Sequence, residues 1–391
     1  MMEFNSAAQY LRFNRVLTEM GWLTDVVITI RSGLIEDIQP YDVTSTILSN
    51  DLIEYVDADL MPGLIETHIH GAMGVDVMDA KHTSLNSISV YLAKFGVVGF
   101  LATTVTSTIP KIEAALRQIG KSKRQRLDGA ELLGGYLEGP YFTEEHRGAH
   151  PNSLLRDIEL NEIKNFIDIA DGSLKVVALA PEKAGAINAI QYLNENNINT
   201  MLAHTNAGYE QTTLALDSGA KGIVHCYNGM TGIHHRDTGT VGAGLTHPDA
   251  FVEMINDGHH VHSSAVDIAY RCCQDRMVLI SDSMRAAGMP NGQYELGEYL
   301  ITMENGVVRT DEGSLAGSTL RLLDAVFRIK KDLQLPLEKA WELASLSPAK
   351  ALNIDDELGS ISVGKKASIV AIDTQGVVLH TWVGGERVYS K

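Results

Sequence analysis

The chain has little cysteine. Its 391 residues include three, Cys226, Cys272 and Cys273, two of them adjacent. That is too few for a disulfide framework, and it points to a reducing compartment, the cytoplasm. Positive charge is also scarce: 32 Lys and Arg stand against 49 Asp and Glu, a net charge of −17. This argues against a nucleic-acid footprint. The one basic run, Lys121-Ser-Lys-Arg-Gln-Arg126, closes a helical pattern and reads as a solvated helix end. No apolar run approaches the roughly 20 residues that span a bilayer, so no membrane partner is expected. Met1-Met-Glu-Phe-Asn-Ser6 lacks a basic segment followed by an apolar core, and no signal peptide is expected. What is present is a chain of 45% hydrophobic residues, longer than one usual core. It calls for a large barrel with an appendage, or two domains.

From about residue 60 to 285, short apolar runs alternate with amphipathic stretches. Candidate strands are Met61–His68, Val97–Val105, Leu132–Glu138, Leu174–Ala180, Asn199–His204, Gly222–His225, Phe251–Asn256 and Met277–Asp282. Helical patterns such as Leu85–Phe95, Ile112–Lys123, Glu162–Ile169, Ala186–Glu195 and Glu210–Ser218 lie between most of them. Eight such units predict an α/β fold, a (β/α)8 TIM-type barrel. The segment between the sixth and seventh strands is irregular and Gly-rich, so its assignment is looser. Both ends of the chain read as short strands, over 8–58 and 359–391. We expect them to pair into one small β-sandwich, residues 1–58 plus 355–391, beside a catalytic barrel over 59–354. Leu322, Val326, Ile329 and Leu333 recur at helical spacing and read as core.

The most informative stretch is Leu60-Met-Pro-Gly-Leu-Ile-Glu-Thr-His-Ile-His-Gly71. Side chains two apart on a strand share a side, so His68 and His70 make half of a divalent metal site. In a barrel of this class the C-terminal strand ends form the active-site face. Placed there are His68 and His70 on the first strand, Glu138 on the third, His204 on the fifth, His225 on the sixth and Asp282 on the eighth. Any one of them has an ordinary reading, as a satisfied core histidine or a helix-capping carboxylate. Six in register point to an imidazole and carboxylate centre that suits Zn²⁺ or a similar first-row ion.

These residues lie in longer segments: Leu137-Glu-Gly-Pro140, Arg147-Gly-Ala-His150, Ala203-His-Thr-Asn-Ala207, His225-Cys-Tyr-Asn-Gly-Met230, Asp257-Gly-His-His-Val261, Ser281-Asp282 and Leu315-Ala-Gly-Ser318. With Pro62–Gly71 they occur in the order found in the N-acetylglucosamine-6-phosphate deacetylase family of the amidohydrolase superfamily, which the chain resembles nearly end to end. Most other amidohydrolases carry a carbamylated lysine on the fourth strand. Here Lys175 falls at the wrong end of that strand, and Glu138 takes the lysine's place.

The resemblance implies that Glu138, His204 and His225 hold the main metal, with His68 and His70 allowing a second. Asp282 would act as general base and then acid, and His260 would polarise the acetyl oxygen. His259 and His262 are alternatives to His260 by position, and the family pattern selects His260. Asn228 and Gly229 would contact the substrate phosphate, and Ala149 and His150 the sugar. Arg236 would reach the phosphate in the neighbouring subunit of a homodimer. Gly229 stands where an alanine is common and Cys226 where a larger apolar residue is common, which bears on sugar specificity. The implied reaction converts N-acetylglucosamine 6-phosphate to glucosamine 6-phosphate and acetate. The alternatives are the galactosamine epimer, a cyclic amidohydrolase, and a non-catalytic scaffold. The absent lysine weighs against the cyclic amidohydrolase, and the intact ligand set against the scaffold.

Overall fold

A computed structural model describes residues 8–42 and 51–391. Of the segments assigned above, Met1–Ser6 and residues 43–50 of the 8–58 segment lie outside the described residues. Eight parallel strands follow one another in sequence order: Leu64–Ile69, Val97–Thr103, Glu131–Glu138, Leu174–Leu179, Asn199–Leu202, Gly222–Ile223, Phe251–Ile255 and Met277–Ile280. The ring closes where Ile69 bridges Ser283, and where Asp282 N donates to His68 O at 3.0 Å. All eight expected strands are present. Three of them, the fifth, sixth and eighth, stop two residues short of their functional residue. There the backbone turns left-handed, with φ +45° at His204, +30° at His225 and +49° at Asp282. Non-glycine residues reach that region at a cost of about 1–3 kcal/mol each, and such strain gathers at functional sites.

The helices cover the outside of the ring. Ile109–Gln125 buries Ile112, Leu116 and Ile119 at three- and four-residue spacing, and Leu322–Asp332 buries Leu322, Val326 and Ile329 in the same way. At the end of the first of these helices, Arg124 pairs with Asp171 and Arg126 with Glu386. The irregular segment after the sixth strand contains one helix, Gly239–Thr246.

The termini meet in one seven-stranded sheet. Its order is Glu386–Ser390, Val378–Val383, Ile369–Ile372, Leu52–Pro62, Gln9–Thr18, Gly21–Arg31 and Leu34–Pro40. The sheet curls so that its far edge returns: Ile35 N donates to Lys365 O, and Leu34 bridges Lys366. It encloses a separate core built on Leu11, Phe13, Val26, Ile28, Leu60, Ile369 and Trp382. An antiparallel three-stranded sheet follows the last barrel strand, over Gly292–Leu296, Tyr299–Glu304 and Val307–Thr310. The sequence reading did not anticipate it. It is anchored near the barrel mouth by Glu298, which accepts from Ser107 Oγ and Lys111 Nζ at 2.7 Å each.

Candidate metal centre

The six strand-end residues converge. His68, His70 and Asp282 place ligand atoms within 4.8 Å of one another, and so do Glu138, His204 and His225. Glu138 lies between the two sets. Its Oε1 is 3.5 Å from His68 Nε2, 3.5 Å from His204 Nε2 and 3.3 Å from His225 Nε2. Its Oε2 is 3.2 Å from His70 Nε2. Asp282 Oδ1 is 3.2 Å from His70 Nε2. All six are buried.

The electrostatics fit a cation. Burial pushes the Glu138 carboxyl up, but His68, His204 and His225 outweigh it and hold the group well below the carboxylate range. Burial likewise opposes protonation of His70, yet Asp282 and Glu138 raise it to about 10. These carboxylates therefore favour positive charge beside them, which protonated imidazole or a bound divalent ion would supply. His68 Nε2 is buried without a hydrogen-bond partner, and neutral imidazole with carboxylate is the donor chemistry of first-row metals.

A cavity of about 340 Å³ opens onto the centre, a size suited to a small metabolite. His260, Ala149, His150, Asn228 and Gly229 line it with all the metal candidates except His68. His150 is buried, with Nε2 3.1 Å from His204 Nε2, and burial lowers it well below its usual value. Asn228 turns its amide back onto the carbonyls of His225 and Cys226. His259 instead lines a surface cleft outside the cavity, and His262 caps the helix Ser263–Cys273, so geometry also favours His260. Arg236 is not brought in: it is exposed, with Nη1 2.7 Å from His235 Nε2, and does not line its own chain's cavity. Lys175 faces a different cavity with Lys123 and Leu133, away from the metal candidates.

Leu296, at the end of the inserted sheet's first strand, and Ser314, just beyond its last strand, also line the cavity. The sequence reading missed them: Leu296 lies in a hairpin strand with no local signal of where it folds, and Ser314 sits just before the Leu315–Ser318 segment without being part of it. It also missed Glu66 and Glu253, both buried beside His68. A carboxylate inside an apolar strand run was the available clue, since buried charge must be paired.

A parallel barrel with histidine and carboxylate donors at its strand ends defines a metal-dependent hydrolase. The chain belongs to the amidohydrolase family, whose model matches residues 60–388. It is 54% identical over 389 residues to the N-acetylglucosamine-6-phosphate deacetylase of Vibrio furnissii, covering 99% of this chain and 97% of that one. It is 46% identical to the N-acetylgalactosamine-6-phosphate deacetylase of Escherichia coli O157:H7, covering 96% and 98%. Among solved structures, the N-acetylglucosamine-6-phosphate deacetylase of Pasteurella multocida superposes with a TM-score of 0.92 at 26% identity, covering 98% of this chain and all of that one. A mutant of the Mycobacterium smegmatis enzyme in complex with N-acetyl-D-glucosamine-6-phosphate gives 0.91 at 28%, with the same coverage.

Proposed function

We propose that the chain is a deacetylase that hydrolyses N-acetyl-D-glucosamine 6-phosphate to D-glucosamine 6-phosphate and acetate. The observation that carries this reading is Glu138, a member of one donor trio, reaching the histidines of the other at the floor of a metabolite-sized cavity. The near full-length similarity to the Vibrio furnissii enzyme supports the substrate. Glu138, His204 and His225 would hold one divalent ion, Zn²⁺ by donor type, and His68, His70 and Asp282 a second. Such an ion supplies a water with a pKa near neutrality and polarises a carbonyl.

The residues do the rest. Asp282 accepts the proton of the attacking water and delivers it to the departing amine. His260 donates a hydrogen bond to the acetyl oxygen as it gains negative charge. Asn228 and Gly229 contact the phosphate, and Ala149 and His150 the sugar. Arg236 extends to the phosphate in a partner's site, which makes the working unit a homodimer.

The terminal unit is taken as 1–58 with 355–391 and the barrel as 59–354. Shared sheet membership of the two ends supports this, although the strand Leu52–Pro62 runs through the first boundary. Cytoplasmic residence is supported by three free cysteines; among the described residues no helix is long and apolar enough to cross a membrane. The 46% identity to the Escherichia coli enzyme favours the galactosamine epimer as a second reading. Acetate release from both sugar phosphates, with metal content measured on the same sample, decides. Turnover of neither by metal-loaded protein overturns the deacetylase reading.

A further inference from the structure

We propose that Glu253 is the positioning residue that makes His68 a metal ligand, and so equips the centre for two ions. This rests on the reading of His68, His70 and Asp282 as a second donor set. Three of the four strand-end imidazoles in these sets are oriented in one way. Each directs Nδ1 at a backbone carbonyl: His70 at Thr103 O (3.2 Å), His204 at His146 O (2.8 Å) and His225 at Asn228 O (3.0 Å). Each then presents Nε2 to Glu138 at 3.2–3.5 Å.

His68 has the same Nε2 placement but a different support. It is the most deeply enclosed of the four, with no exposed surface. Its Nδ1 meets Glu253 Oε2 at 3.3 Å. Glu253 stands on the seventh strand, two residues before Ile255, which lines the cavity. Residues two apart share a strand face, so Glu253 points into the barrel one layer below the cavity floor. Among the described residues His68 is the one hydrogen-bond partner of its carboxylate. A buried carboxylate without a partner is costly, so the pair stands or falls together.

The chemistry of the pair fixes the tautomer. A carboxylate only accepts, so Nδ1 carries the proton and Nε2 keeps its lone pair. That lone pair lies 3.5 Å from Glu138 Oε1 and 3.7 Å from Asp282 Oδ1, with no hydrogen bond of its own. A charged acceptor also raises ligand basicity more than a carbonyl does. The deeper imidazole is therefore the more basic donor.

The test uses metal-free full-length protein reloaded with Zn²⁺. Ions per subunit are counted by mass spectrometry across a chelator series, for wild type, Glu253→Met and Glu253→Gln, with thermal melts of the metal-free proteins as a fold control. Wild type is expected to hold two ions. Glu253→Met should keep one with wild-type affinity and hold the other about 10–100-fold more weakly, the usual effect of losing such a support. Glu253→Gln keeps an acceptor oxygen and should weaken the same ion by less. Retention of both ions at wild-type affinity, or equal loss of both, overturns the proposal. Should the methionine variant not fold, the glutamine variant decides by the same measure. A wild type that binds a single ion also overturns it, whereas the deacetylase reading stands or falls separately on acetate release.

Discussion

Asp257 Oδ2 lies 2.7 Å from His260 Nδ1, while its Oδ1 accepts the backbone N–H groups of His259 and His260 at 2.8 and 2.9 Å. One carboxylate thus fixes both the turn and the imidazole that faces the cavity. Burial pushes the Asp257 carboxyl up, but the His260 hydrogen bond and the two N–H groups outweigh it and hold it at about 2. A carboxyl with a depressed native pKa stabilises the fold above the ordinary carboxylate range. That stability is lost as pH falls through the native value. Asp257→Asn should therefore melt below wild type at pH 7, and the gap should narrow as pH falls from about 4 toward 2. Thermal melts across that range check this; a gap independent of pH would remove the charge from the account. Turnover should fall roughly 10-fold with KM little changed, less than the ~10² typical of losing an acid–base group outright.

Asp282 serves two expected roles, as its Oδ1 lies near both first-strand histidines and it also lines the cavity. Asp282→Asn keeps the shape and removes the base. The value of kcat should fall at least ~10²-fold, while the ion held by Glu138, His204 and His225 stays bound. Metal analysis beside steady-state kinetics separates the two roles. Near-normal turnover would take proton transfer away from Asp282.

Gly229 is a tight point of the sixth-strand loop. Its φ is +61°, and a Cβ there would lie 2.7 Å from His204 Nδ1 and 3.1 Å from His146 O, the two atoms whose hydrogen bond orients the His204 ring. An alanine, common at this place in the family, can be accommodated by a shift of the loop, but Gly229→Val is expected to tilt that ring and weaken the first ion about 10-fold or more, the scale seen when a ligand's support is disturbed. Chelator competition gives the answer directly. Unchanged affinity would mean that the loop moves aside at little cost.

Much of this was legible from strand ends. An apolar run that closes on His204, His225 or Asp282 announces both a barrel strand and a side chain on the working face, since strand direction fixes which end is which. The hydrogen-bonded strands end sooner than the apolar runs, because left-handed backbone at those three residues has no signature in hydropathy. The inserted sheet over 292–310 was invisible for a different reason: its three strands form their own sheet, and it meets the cavity only through Leu296 and through the Ser314–Ala316 segment that pairs with its last strand. Glu253 was visible as an oddity, a charge in Phe251-Val-Glu-Met-Ile255, but its partner lies 185 residues away. Only the closed ring brings the two together.

Arg236 is the residue for which one chain says least. It sits on an exposed loop and does not line the cavity of its own barrel, so a role in substrate binding requires a second subunit. Loss of a hydrogen bond to a charged group costs about 1.5–3 kcal/mol. Arg236→Ala should accordingly raise KM for the phosphorylated sugar by roughly 10–100-fold, and hardly alter turnover of unphosphorylated N-acetylglucosamine. Equal effects on both substrates would assign the residue to folding or assembly. Subunit mixing then separates the two geometries. If Arg236 acts across the interface, a dimer of one Arg236→Ala and one Asp282→Asn subunit contains one complete site, because the first supplies Asp282 and the second Arg236. Mixing and reassembling the two weakly active variants should restore activity above either alone. If Arg236 acts within its own chain, every site in the mixture lacks one of the two groups, and no recovery follows.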